Sequence, residues 1–261
     1  MDLQLAGRAY FVSGGSRGIG RAVVEALLEE GARVGTCARS RPGLEGLRAD
    51  LPPARRDRLA LWTCDVRDGQ AVRAAVEGTA ARFGRLDGVV ASAGAGSSGG
   101  VLDTSDADWS AQFEGKRLGL LNVVRPALPA LRRSDAGRVV AINGVTAARP
   151  DPDMAAVSAA RAALRQVALL LARELAPDGI CVNTVDLGAI ETQRQHSRYA
   201  RSGSALPYGA WAAAEAERRG IPFGRFGRPG EVAPAVLLLL SPLSSYITGA
   251  TLDVAGGLGA F

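Results

Sequence analysis

A chain of 261 residues with 47% hydrophobic and 22% charged residues can bury a full core, which excludes a disordered or fibrous chain. Its net charge of +5 is spread over 31 basic residues without like-charge blocks or interleaved aromatics, so no nucleic-acid partner is expected. Cys37, Cys64 and Cys181 lie far apart and His196 is the one histidine, which leaves no Cys/His spacing for a metal.

The opening stretch, MDLQLAGRAYFVSGG, shows no basic region leading into a long apolar run, so no signal peptide is read there. Apolar runs such as AVLLLL at 235–240 are far too short to span a bilayer. The expectation is a cytoplasmic protein with no membrane partner.

In chain order, AYFVSG (9–14) reads as a strand and GRAVVEALLEEGA (20–32) as an amphipathic helix. Strands follow at 33–39 and 60–64, then a helix at 69–84 and a strand at 87–92. A long helix is predicted from about 106 to 133, with Ser105 or Asp106 as N-cap. A strand at 138–143, a helix at about 155–175, and strands at 180–185 and 251–256 complete the pattern. The strands are nearly continuous in Val, Ile, Ala and Leu, as strands covered on both faces are. Strict alternation predicts an α/β fold, a doubly wound parallel seven-stranded sheet with helices on both faces, in a single domain. All three cysteines fall in predicted strands, where small buried side chains fit. The one long irregular stretch, about 187–222, is expected to be a lid over a substrate.

After the first strand comes SGGSRGIGRAVVEALLEEGA, with glycines at 14, 18 and 20 opening a helix. Gly14 permits the tight turn, Gly18 lets the backbone approach a phosphate, and Gly20 allows close helix–sheet contact. Free N–H groups and the positive end of the helix dipole then face a pyrophosphate.

The chain resembles the short-chain dehydrogenase/reductase family over nearly all its length. That family's glycine-rich loop is matched by Ser13-Gly14-Gly15-Ser16-Arg17-Gly18-Ile19-Gly20, and its adenine contact by Asp65-Val66. The Asn-Asn-Ala-Gly signature is matched, degraded, by Ala91-Ser92-Ala93-Gly94. Leu187-Gly188-Ala189-Ile190-Glu191-Thr192 matches its Pro-Gly turn and following Thr. The resemblance implies a Rossmann-like fold and a dinucleotide held by Gly14, Ser16, Arg17, Gly18, Ile19, Gly20, Arg39, Asp65, Val66, Ala93, Gly94, Gly188, Ile190 and Thr192. NAD binders of this type end the second strand on an acidic residue that holds the ribose 2′-OH. Here that end reads CARSR, and Arg39 and Arg17 suit the 2′-phosphate of NADP(H), which is therefore expected ahead of NAD(H).

The family completes hydride transfer with a Tyr, a Lys four residues later, a Ser and an Asn. By resemblance those positions fall on Val157, Arg161, Gly144 and Lys116, and all four are substituted. An alkoxide built by hydride addition needs a proton donor of near-neutral pKa, which neither Val157 nor Gly144 supplies. Divergent branches of the family that place a Lys at the Asn position and lack the Tyr and Lys look like this chain. Lys116 is the chain's one lysine, and desolvation or a neighbouring cation such as Arg161 can lower its pKa.

Three readings stay open on the residues. One is an oxidoreductase acting on a small organic carbonyl, enone or alcohol by a non-standard proton path. Another is a non-redox enzyme (cyclase, dehydratase or isomerase) that uses His196, Tyr199, Tyr208 or Asp186 for proton transfer. The third is a non-catalytic pseudoenzyme or scaffold subunit. Arg194, Arg198 and Arg201 would attract an acidic substrate. The family pairs the 106–133 and 155–175 helices across subunits, which implies a homodimer or homotetramer.

Overall fold

The apolar runs become strands because their side chains are buried on alternate faces. In a computed structural model that describes residues 1–259, they are β1 (Ala9–Ser13), β2 (Arg33–Ala38), β3 (Leu59–Thr63) and β4 (Gly88–Ala91). β5 (Arg138–Gly144), β6 (Cys181–Leu187) and β7 (Thr251–Val254) follow. The described strands form the expected seven-stranded parallel sheet, and its order is β3-β2-β1-β4-β5-β6-β7.

Helices α1 (Gly18–Glu29) and α9 (Pro229–Leu240) cover one face. They pack Val24, Leu27, Val236 and Leu240 on Tyr10, Val12 and Val185. Helices α4 (Gly69–Phe83), α5 (Asp106–Leu131) and α6 (Ala155–Leu175) cover the other, packing Val76, Val124 and Leu164 on Phe11, Val89 and Val182. Neighbours Phe11 and Val12 go to opposite faces, the period-2 alternation of a strand buried on both sides. Short helices α2 (Arg41–Asp50) and α3 (Pro53–Arg56) connect β2 to β3. Ser105 caps α5 by accepting from the Asp108 N–H at 3.1 Å.

The strand order reverses between β1 and β4. At such a switch point the loops leaving the two strands diverge and open a crevice at their carboxyl ends. The glycine-rich turn leaves β1 there and the Ala93-Gly94 loop leaves β4.

The 187–222 stretch corrects the expectation of an irregular segment. β6 runs on to Leu187, and two helices follow, α7 (Gln193–Ser202) and α8 (Tyr208–Arg218). Helix-forming residues fill α8, and Gly203, at φ +64°, ends α7 in the left-handed conformation that glycine tolerates. These helices close over a separate apolar cluster of Trp211, Ala216, Ile221 and Phe226, against which Tyr199 and Tyr208 pack. The polar composition of 193–205 masked the helix, because its buried residues come from the following element.

Among the described residues one segment, Ala155–Asp178, is long and apolar enough to cross a membrane. Its Leu164, Ala168, Ala172 and Leu175 are buried in the core shared with α5 and the sheet.

Candidate functional site

The glycine-rich turn is built by close backbone approach. A Cβ on Gly14 would stand 3.0 Å from Ala93 Cα, so the β1 and β4 loops touch only because residue 14 has no side chain. The Ser13 hydroxyl ties them further, accepting from the Ser92 and Ala93 N–H groups at 3.1 and 3.2 Å. Gly18 opens α1 and faces Thr192, whose methyl would lie 3.4 Å from a Cβ there. Gly20 lies under the Gly14 carbonyl, and Gly188 against Ala255. Ile190 bridges to Gly227 and is buried. Ser16 lies against Gly43 in the first turn of α2, near the Ser40 cap, while Ile19 packs partly buried on the core.

Arg17 and Arg39 are exposed, and neither forms an ion pair among the described residues. Asp65 is engaged by Arg67 at 2.8 Å, which lowers its pKa. The Val66 carbonyl accepts from the Asn122 side-chain amide at 2.8 Å. Asn122 escaped the sequence reading; its one signal was a lone amide in the apolar run LLNVV of α5.

Three cations meet three glycines at the carboxyl ends of β4 and β5. The Lys116 ammonium lies 3.1 Å from where a Cβ on Gly94 would stand. The Arg161 guanidinium carbon lies 2.7 Å from the corresponding point on Gly144. Arg194 Nη1 and Nη2 both lie 2.9 Å from that point on Gly96. Arg161 donates from Nη1 to the Thr146 hydroxyl at 2.9 Å, and its backbone carbonyl accepts from the Asn143 amide at 3.2 Å. Its Nε is buried with no acceptor.

Among the described residues none of the three cations forms an ion pair. Burial, then Arg161 and Arg194, pull the Lys116 pKa to about 8. Burial and Arg194 lower that of Arg161 to about 10 against an upward pull from Asp186 and Asp151. Arg194 is lowered as well, by burial of its head group and by Arg198 and Arg201. Val157, on α6, is buried and carries no proton to give.

The other candidates gather elsewhere. His196 stacks on Tyr208 with ring centroids 4.3 Å apart, and its Nε2 lies 3.8 Å from Glu191. Tyr199 donates to the Leu206 carbonyl at 2.7 Å. The Tyr208 hydroxyl is buried without a partner, and burial with the nearby Glu191 charge raises its pKa. No hydrogen bond joins these three to Lys116 or Arg161 among the described residues.

Of the three arginines expected to attract an acidic substrate, Arg198 pairs with Glu215 at 3.3 Å and Arg201 donates to the Ser197 carbonyl, so Arg194 alone turns to the glycine cluster. Asp186 lines a cavity of about 510 Å³ with Val145, Arg149, Arg165 and Asp253, rather than the space beside Lys116. Burial raises its pKa to about 6.

A parallel sheet with a glycine turn at its switch point defines a dinucleotide-binding class of fold, and the comparisons name the family. The family model described as enoyl-(acyl carrier protein) reductase matches residues 14–259. The chain is 32% identical over 260 residues to the 3-oxoacyl-(acyl-carrier-protein) reductase FabG of Salmonella typhimurium, covering 98% of this chain and 99% of that protein. It is 32% identical over 258 residues to an uncharacterized short-chain type dehydrogenase/reductase of Sinorhizobium fredii, covering 97% and 98%. Among solved structures, a short-chain oxidoreductase of Pseudomonas aeruginosa PAO1, described as containing an atypical catalytic center, superposes with a TM-score of 0.91 at 38% identity over 100% of both chains. Its NADPH-bound form matches at 0.90 and 37% over 97% of both. The chain belongs to the short-chain dehydrogenase/reductase family.

Proposed function

We propose that this protein is an NADP(H)-binding oxidoreductase that acts on a small organic carbonyl, enone or alcohol, with Lys116 as the proton-carrying group. The observation that carries the reading is the Lys116 ammonium, placed against Gly94 with no carboxylate partner and a pKa of about 8. A group poised near neutrality can both hold and release a proton in the working pH range, as a general acid must. The P. aeruginosa relative with an atypical catalytic center, solved with NADPH, supports the same reading.

The turn fits the cofactor. Its backbone N–H groups open α1, Gly14 and Gly18 keep side chains out of the approach, and Thr192 closes the far side. Arg17 and Arg39 offer two free guanidinium forks to a 2′-phosphate, where NAD binders present a carboxylate. Bound there, NADPH would supply the hydride for reduction and NADP+ would accept it for oxidation; the protein's part is to hold the dinucleotide and to move the proton at Lys116 Nζ. Arg161 fills the volume a side chain at 144 would take, and keeps a positive charge near Lys116.

The reading has the α7–α8 segment as the lid of a single-domain cytoplasmic enzyme. It also has the chain as a homodimer or homotetramer, supported by the exposed Phe113 of α5 and the exposed Leu169 and Leu170 of α6. A fluorescence titration of the purified protein with NADPH and NADH tests the core of it. Tight NADPH binding with weaker NADH binding is expected; no binding of either would overturn the reading.

A further inference from the structure

Each member of the cation cluster is seated on a bare glycine, and none is neutralised. Lys116 comes from α5, Arg161 from α6 and Arg194 from α7, and they converge on loops that follow β4 and β5. Asp151 and Asp186 are the carboxylates that act on Arg161 through space, and neither lies within ion-pair distance. Arg161 has spent only Nη1, on the Thr146 hydroxyl, and its Nε lacks an acceptor. Gathering three like charges at a partly buried site costs free energy that solvent there does not return. A planar anion returns it, because a guanidinium presents parallel N–H donors that match a carboxylate.

We propose that the three cations seated at Gly94, Gly96 and Gly144 form a carboxylate site. In it Arg161 and Arg194 hold the carboxylate of a small oxo acid, whose carbonyl oxygen lies at Lys116. This rests on the oxidoreductase reading for the oxo group and on the glycine-seated cations alone for the carboxylate. The pocket separates acidic substrates from neutral ones, since a neutral amide of the same shape leaves both guanidinium groups unmatched. A carboxylate on the carbon next to the carbonyl suits two arginines close enough to act on one lysine.

Calorimetric titration of the full-length protein with oxamate, against its neutral counterpart oxamide, tests the pocket without requiring turnover. Oxamate is expected to bind, with oxamide weaker by roughly ten- to a hundredfold, the range for charge-assisted hydrogen bonds to a carboxylate. Arg194→Ala is expected to weaken oxamate roughly tenfold or more, and Arg161→Ala likewise. Equal binding of oxamate and oxamide overturns the proposal, as does oxamate binding that survives both arginine variants. Loss of oxamate binding in Arg17→Ala also overturns it, because the anion then sits on the glycine-rich turn. NADPH titrated against the same protein keeps the two ideas apart. NADPH binding without oxamate binding overturns the carboxylate pocket alone. Oxamate binding without NADPH binding overturns the redox reading and supports the pocket.

Discussion

Arg161 and Gly144 share one volume: the guanidinium carbon stands 2.7 Å from the point where a Cβ on residue 144 would be built. A side chain on β5 at 144 and an arginine on α6 at 161 therefore exclude each other. Gly144→Ser is expected to destabilise the protein by about 1–3 kcal/mol through overpacking, and by much less in an Arg161→Ala background. Urea denaturation of the four proteins of the cycle reads a coupling of at least about 1 kcal/mol. Additive effects would show that the two positions do not compete.

Lys116→Met is expected to abolish turnover, to leave NADPH affinity nearly unchanged and to stabilise the fold. Folding lowers the lysine pKa from 10.5 to about 8, so between those values the unfolded chain holds more protons. Stability contributed by the neutral amine is present above pH 10.5 and lost as pH falls through 8. The full cost at pH 7 is about 3 kcal/mol, reduced to about 1–3 kcal/mol because the side chain is partly exposed. Melting curves at pH 7 and pH 10.5 should show a raised Tm for the variant at the first and little difference at the second. In the reduction direction, wild-type turnover should fall as pH rises through 8, where the ammonium donor disappears. Unchanged turnover in Lys116→Met would remove the lysine from the mechanism.

Arg39→Ala is expected to weaken NADPH by roughly tenfold or more and to leave NADH within about twofold, since only NADPH carries the 2′-phosphate. Arg17→Ala should weaken both, NADPH more strongly. Equal losses for the two dinucleotides in Arg39→Ala would place that side chain away from the 2′ position.

Asp186 is 1% exposed, and its pKa is raised from 3.8 to about 6. The register pairs it with Asn143, and the Oδ1 atoms of both lack a donor. A raised carboxyl pKa contributes stability that is complete below pH 3.8 and lost as pH rises through 6. At pH 7 the buried anion costs about 3 kcal/mol at most, so Asp186→Asn is expected to gain about 1–3 kcal/mol there and nothing at pH 4. Chemical denaturation at the two pH values decides it.

The fold was legible because its signals are local and repeated. Buried parallel strands write themselves as unbroken Val/Ile/Ala runs, and the Gly14, Gly18 and Gly20 spacing marks the first crossover. Lys116 stood out for a chemical reason, as the single lysine among arginines. The convergence of Arg194 on Gly96 was not legible, because α7 and β4 lie about a hundred residues apart and nothing local distinguishes Arg194 from Arg198 or Arg201. Their sorting depends on Glu215, one helix later, which claims Arg198. The helices within 187–222 were missed because their apolar faces are narrow and shared with Phe226 and Ile221 beyond them. Asn122 was hidden for the opposite reason, a single polar contact in an apolar run.

The Trp211–Phe226 cluster gives the α7–α8 segment an apolar nucleus of its own, apart from the two cores on the sheet. A segment with its own nucleus opens and recloses as one cooperative unit at less than the cost of global unfolding. Arg194 travels on that unit, whereas Lys116 and Arg161 are anchored on α5 and α6. Any opening of that unit would carry Arg194 away from Gly96 and leave Lys116 and Arg161 at Gly94 and Gly144. An anion held in the proposed carboxylate site would then favour the docked position of α7–α8, and docking would strengthen anion binding by the same factor.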